Sequence, residues 1–267
     1  MSTLTPFDPL WNYADPAATE AKFKEILNKK NTLSDMSYHL QLLTQIARTY
    51  SLRGMFSEAH AMLDEVKEAL PDEPRLENVR YHLERGRTYN SSGEKENARK
   101  EFEKALTISD IVNNDFYTID TIHMLAIVSE PDEAIEWNLK GLKKAELSSQ
   151  ERAKNWLGSL YNNLGWSYFD KGDHAKALEI FEKSYDWRKE KGEPRSINIA
   201  KWSIARTLRA MGSVEEALQM QRELLSDNIN PDEYNYEEII ECLKALGRDE
   251  EAKTFMAKKE ELFKKKS

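Results

Sequence analysis

The chain has 267 residues, 40% of them hydrophobic and 32% charged, which excludes a disordered polar tail and suits a soluble protein of one large domain or two smaller ones. Lys and Arg number 39 against 47 Asp and Glu, a formal net charge of -8 that argues against a general nucleic-acid binder. The single cysteine, Cys242, excludes an internal disulfide and a thiolate zinc site, and agrees with a reducing cytoplasmic setting.

Residues 1–14 place Asp8 among Pro6 and Pro9 and predict an extended arm. No basic start followed by an apolar run is present, and no segment approaches the ~18 apolar residues of a membrane span, so neither a signal peptide nor a membrane partner is expected. Asp15-Pro16, a capping residue before a proline suited to a first helical position, begins a predicted capping helix over 15–30 that contains Phe23-Lys24-Glu25-Ile26-Leu27. One pattern then returns along 38–262. Its first copy is Ala47, Tyr50, Gly54, Ala59 and Leu63, followed by Pro71; its second is Gly86, Tyr89, Gly93, Ala98, Phe102 and Ala105. A degenerate third spans Asp120 to Ala145, where Glu130-Pro131-Asp132 replaces the turn glycine. The fourth is Leu164-Gly165, Tyr168, Gly172, Ala177 and Phe181; the fifth is Ile204-Ala205, Leu208, Gly212, Ala217 and Leu224. The last is Ile239-Ile240, Leu243, Gly247, Ala252 and Met256. Lys258-Lys259 and Lys264-Lys265-Lys266 complement the carbonyl end of the final helix.

Large apolar residues at i, i+3, i+4 and i+7 make one stripe on a first helix, A. The glycine ends it in a left-handed cap, and the small residue after it lets a second helix, B, pass close by. The alanine anchors 59, 98, 134, 177, 217 and 252 are separated by 39, 36, 43, 40 and 35 residues, so helices or turns exceed the minimum.

The Leu-Gly, Tyr, Ala, Phe, Ala and Pro positions resemble the tetratricopeptide repeat, whose period is ~34. The resemblance implies an all-α, right-handed superhelical α-solenoid of about six helix pairs plus the N-terminal capping helix, one domain over 1–267 with repeats at 38–262. Phe7-Asp8-Pro9-Leu10-Trp11, His123-Met124-Leu125-Ala126 and the stretch from Trp156 to Trp166 also resemble small bacterial-type proteins of this kind.

In such a solenoid the A helices line the concave surface with positions 2, 5, 9 and 12 of each repeat. The resemblance therefore assigns a ligand groove to Arg48, Arg80, Arg87, Asn90, His123, Asn162, Trp166, Trp202, Arg206 and Arg209. Arginine forks suit carboxylates and tryptophan faces suit apolar or cationic groups, so the expected partner is a protein or a short peptide, acidic or amphipathic. The alternative is structural: arginines paired with Glu84 or other neighbours, and tryptophans packed as core. A chaperone-tail clamp is not expected, because Thr44, Arg48 and Glu84, and later Asn162, Trp166 and Ser203, stand where lysines and asparagines are needed. Arg85 and His82 occupy apolar positions of the second copy: either the register slips locally or the two polar groups are half-buried and paired, and a slip or snorkelling is the favoured account.

The five histidines form no HExxH pair, and phosphate-loop, dinucleotide and nucleophile-elbow motifs are absent. His123 lies three residues after Asp120 and reads as a structural pair, and Cys242 as a small buried residue. The reading is a cytoplasmic interaction scaffold without catalytic residues, metal or cofactor. Self-association into a homo-oligomer is the alternative, with Trp11 docked in a neighbour's groove or folded back into its own. A small-molecule sensor is a third.

Overall fold

The computed structural model describes residues 4–29, 32, 34–227 and 232–263, and every regular element among them is helical. Helix α1 (Pro16–Leu27) starts where the Asp15 carboxylate accepts the Ala18 amide proton, with Pro16 supplying the preset backbone of the first turn. Pairs succeed it in chain order: α2 (Met36–Leu52) with α3 (Phe56–Ala69), α4 (Leu76–Ser91) with α5 (Lys95–Ile111), and α6 (Asp115–Val128) with α7 (Pro131–Leu147). A one-turn helix, α8 (Glu151–Lys154), precedes α9 (Leu157–Asp170) with α10 (His174–Lys191), α11 (Pro194–Ala210) with α12 (Val214–Asp227), and α13 (Glu233–Ala245) with α14 (Asp249–Phe263). The insertion of α8 explains why the step from Ala134 to Ala177 is the longest.

The turn glycines Gly54, Gly93, Gly172, Gly212 and Gly247 all have φ between +69° and +91°, a region costly for any other residue. The third pair has no such glycine; α6 ends at an extended Ser129 and Pro131 opens α7. Six helix pairs behind a capping helix are thus seen among the described residues, as the periodicity implies.

The chain divides into two compact units, Met1–Trp156 and Leu157–Ser267. In the first, Phe23, Leu42, Ile46, Leu63 and Val66 form one core cluster, and Leu83, Phe102, Tyr117 and Leu125 another. The second unit buries Leu164, Phe181, Ala205, Ala217 and Leu243 in equivalent positions. Gly86 shows why the period needs a small residue at the helix crossing. A Cβ built there would lie 2.6 Å from Phe102 Cδ1, so the ring fills space that only glycine leaves open.

The register does not slip at Arg85 and His82. Arg85 is buried and ion-pairs with Asp64, and also donates to the His60 carbonyl at 3.3 Å. His82 Nδ1 lies 2.6 Å from a Glu101 oxygen. Burial alone would raise the Glu101 carboxyl, but His82 and Lys104 hold it down at about 2. Polar partners on α3 and α5 let the second copy keep its phase with charged side chains in apolar positions. Lys259 pairs with Glu237 at 2.5 Å, and Lys264 to Lys266 lie outside the described residues.

Candidate functional site

In unit 1 the A helices α2, α4 and α6 are tied by charge. Arg48 on α2 reaches the Glu84 carboxylate on α4 at 3.1 Å, and Arg87 on α4 reaches Glu84 at 2.8 Å and also Asp120 on α6. Glu84 is 3% exposed and Asp120 5%. Burial would raise the Glu84 carboxyl, yet Arg87 and Arg48 keep it below its ordinary value. Counted from the alanine anchors, an arginine at position 9 of one repeat grips an acid at position 6 of the next. Unit 2 repeats the device: Arg206 on α11 ion-pairs with Glu238 on α13, which is 4% exposed and also receives Arg209 at 2.8 Å. These arginines, expected as ligand donors, already hold carboxylates of the chain.

The second feature of unit 1 is the arm. The Tyr38 hydroxyl donates to the Thr5 carbonyl at 2.6 Å. Phe7 is 6% exposed, its ring 5.2 Å from Tyr38 and 6.1 Å from Phe23, with the Arg80 guanidinium 4.9 Å above it. Asp8 accepts from Arg80 at 2.7 Å and from Arg152 on α8 at 2.9 Å. Burial would raise the Asp8 carboxyl, and the two guanidinium groups lower it below its usual range. Trp11 Nε1 donates to Gln45 Oε1 at 3.0 Å, and its ring stacks on Tyr13 at 4.9 Å. Arg80, at 5% exposure, therefore lies beneath the arm, and Arg48 sits 5.8 Å from the Tyr13 ring. Asn90 is half-buried in the last turn of α4. The His123 ring lies 5.2 Å from Trp156, and burial pushes its pKa down.

In unit 2 the expected residues converge on an aromatic wall. Trp166 lies 5.8 Å from Trp202, 5.2 Å from Phe169 and 5.0 Å from the buried Phe181. Trp202 Nε1 donates to the Tyr234 carbonyl at 3.3 Å, and the Arg206 guanidinium stands 5.5 Å from Phe169. Asn162 Oδ1 is buried with no hydrogen-bond partner in the structure. An open cleft of about 660 Å³ lies beside the wall, lined by Arg206, Glu237, Glu241, Ile240, Met256 and Phe263. Glu84 is the arginine partner that the structural alternative names, whereas Glu238, Arg152 and Asp120 as a partner of Arg87 lie outside the sequence reading; the signal for the two acids was their recurrence at position 6. Among the described residues no His, Cys, Asp and Glu group is placed to hold a metal, and burial pushes the Cys242 thiol up to about 11.

Two family models, both of the tetratricopeptide repeat, match residues 156–230 and 79–110, the segments of α9 to α12 and of α4 with α5. The chain carries tetratricopeptide repeats. Solved structures similar to this repeat protein include the apo form of RapI, 14% identical with a TM-score of 0.73, covering 96% of this chain and 73% of RapI. Aspartyl phosphate phosphatase F from Bacillus subtilis is 14% identical with a TM-score of 0.64, over 95% of this chain and 67% of that one. NprR in complex with its cognate peptide NprX is 15% identical with a TM-score of 0.58, over 95% and 75%. At these identities the likeness is one of fold. No curated protein matches the sequence. No helix among the described residues is long and apolar enough to cross a membrane.

Proposed function

We propose that this repeat protein is an interaction scaffold that binds an extended peptide or protein segment against its A-helix faces and catalyses no reaction. The observation that carries the reading is in unit 1, whose A-helix face already receives a segment from outside the repeats, the arm around Phe7 and Asp8, with a short 3-10 turn at Asp8–Leu10. NprR, similar in fold, was solved with its cognate peptide. In unit 2 the corresponding face offers Trp166, Trp202 and Phe169, and one turn before Trp166 the buried Asn162 Oδ1 has no hydrogen-bond partner. Its ligand is amphipathic rather than strongly acidic. Glu238 already pairs with both Arg206 and Arg209, and the cleft sets five glutamates against Arg206, Lys244 and Lys259.

Selection from a displayed random peptide library tests the proposal. Peptides selected by the wild type should lose at least about tenfold in affinity on Trp166→Ala or Trp202→Ala, substitutions at large aromatic anchors, with helicity retained. Peptides that bind equally well to these variants, or no selected peptide at all, would refute it. A dimer abolished by Trp202→Ala would make the face an interface between two copies instead.

A further inference from the structure

The arm does more than cover unit 1, and the role assigned to it here rests on the scaffold reading. We propose that residues 5–13 are an exchangeable internal ligand, and that the external ligand of this face is a segment in which an aromatic residue is followed directly by a carboxylate. The site demands that chemistry. The aromatic slot between Phe23 and Tyr38 buries Phe7, and the adjoining pocket sets guanidinium groups from two helices, Arg80 of α4 and Arg152 of α8, on one carboxylate. An apolar occupant in place of Asp8 would leave the covered Arg80 charge with no salt bridge, so a carboxylate is the favoured occupant.

Arg80 also shows that the internal ligand is imperfect. Asp8 engages Nη2, while Arg80 Nε, on a side chain belonging to a residue only 5% exposed, has no hydrogen-bond partner. A carboxylate that met Nε and Nη2 together would use the whole fork. The arm is held by side chains and by a few hydrogen bonds, among them a reciprocal pair between the Asn12 backbone and the Thr19 hydroxyl, has no helix longer than the turn Asp8–Leu10, and joins the capping helix α1 at Asp15. It can therefore leave without unwinding α1 or α2. While it stays it competes at the high effective concentration of a tethered segment.

The test is a titration, read by fluorescence anisotropy, of a labelled peptide copying Leu4 to Ala14. It is added to the full chain and to the full chain carrying Phe7→Ala and Asp8→Lys, which release the arm. The released chain should bind at least about tenfold more tightly than the wild type. Adding Arg152→Glu, at an exposed position, should remove at least about tenfold of that gain, as should Asp8→Asn in the peptide. Equal binding to both chains, or no binding to a released chain that keeps its helicity, overturns the proposal. If the released chain does not fold, hydrogen exchange on the wild type decides: excess peptide should speed exchange at residues 5–13, and unchanged exchange overturns exchangeability. Trp166-dependent peptide selection with an arm that never exchanges would refute this inference and leave the scaffold reading standing. An exchangeable arm without such selection would leave this inference standing and confine peptide binding to unit 1.

Discussion

Replacing Gly86 by alanine sets helix propensity against packing. Position 86 lies inside α4, where alanine ordinarily stabilises a helix by about 0.5–1 kcal/mol over glycine. The added methyl would sit 2.6 Å from Phe102 Cδ1, and Phe102 is fully buried, so the ring has no solvent to retreat into. Overpacking of this kind costs about 1–3 kcal/mol, and the confined ring places Gly86→Ala toward the upper end. The net expectation is a loss of about 1–2 kcal/mol, or a fall in Tm of roughly 2–8 °C for a unit of this size, read by circular dichroism on heating. In the Gly86→Ala background, Phe102→Leu should cost at least about 1 kcal/mol less than in the wild type, because the smaller side chain relieves the clash. A rise in Tm on Gly86→Ala, or additive costs in the double variant, would refute the packing argument. Gly165, set against Phe181 in the same way, should behave alike in unit 2.

Two other perturbations address the buried charges and the histidines. Glu84→Gln removes the carboxylate shared by Arg48 and Arg87 and should cost about 2–4 kcal/mol in urea denaturation, whereas Glu73→Gln, at the exposed Glu73, should stay within about 0.5 kcal/mol; equal effects would show the hub to be idle. Burial lowers the pKa of His39, of His60 (with Arg85 adding to the shift) and of His123 below 6.5. The unfolded chain then binds more protons than the folded one just below that pH. Stability is complete above 6.5 and falls as pH drops through the lower folded values, before the carboxylates titrate. Tm should fall between about pH 7.5 and about pH 5, and His60→Gln should flatten the slope; a pH-independent Tm over that window would contradict the assignment.

The turn glycines, the anchoring alanines and the 3.6-residue stripe announce helix pairs because each acts within a few residues of chain: a left-handed cap, a close crossing, one apolar face. Capping by Asp15 and the proline bend at Pro131 are equally local, which is why pair number and phase are legible in the sequence alone. For Arg85 and His82 the sequence leaves a slip and a buried pairing open and favours the slip, because Asp64 and Glu101, which decide for pairing, are on other helices that periodicity cannot point to.

The face of Arg48, Arg87 and Arg206 was readable from the repeat, but their employment was not. Helical spacing tells which way a side chain points and is silent on which neighbour waits there, so a ligand donor and a clamp on Glu84, Asp120 or Glu238 look identical in sequence. The arm is the extreme case, since Asp8 meets Arg80 72 residues away and Arg152 144 residues away. The sequence by itself determined the repeats and their caps. Only the tertiary structure decided which charges meet and what covers the face of unit 1, because those choices are made by contacts between helices far apart in the chain.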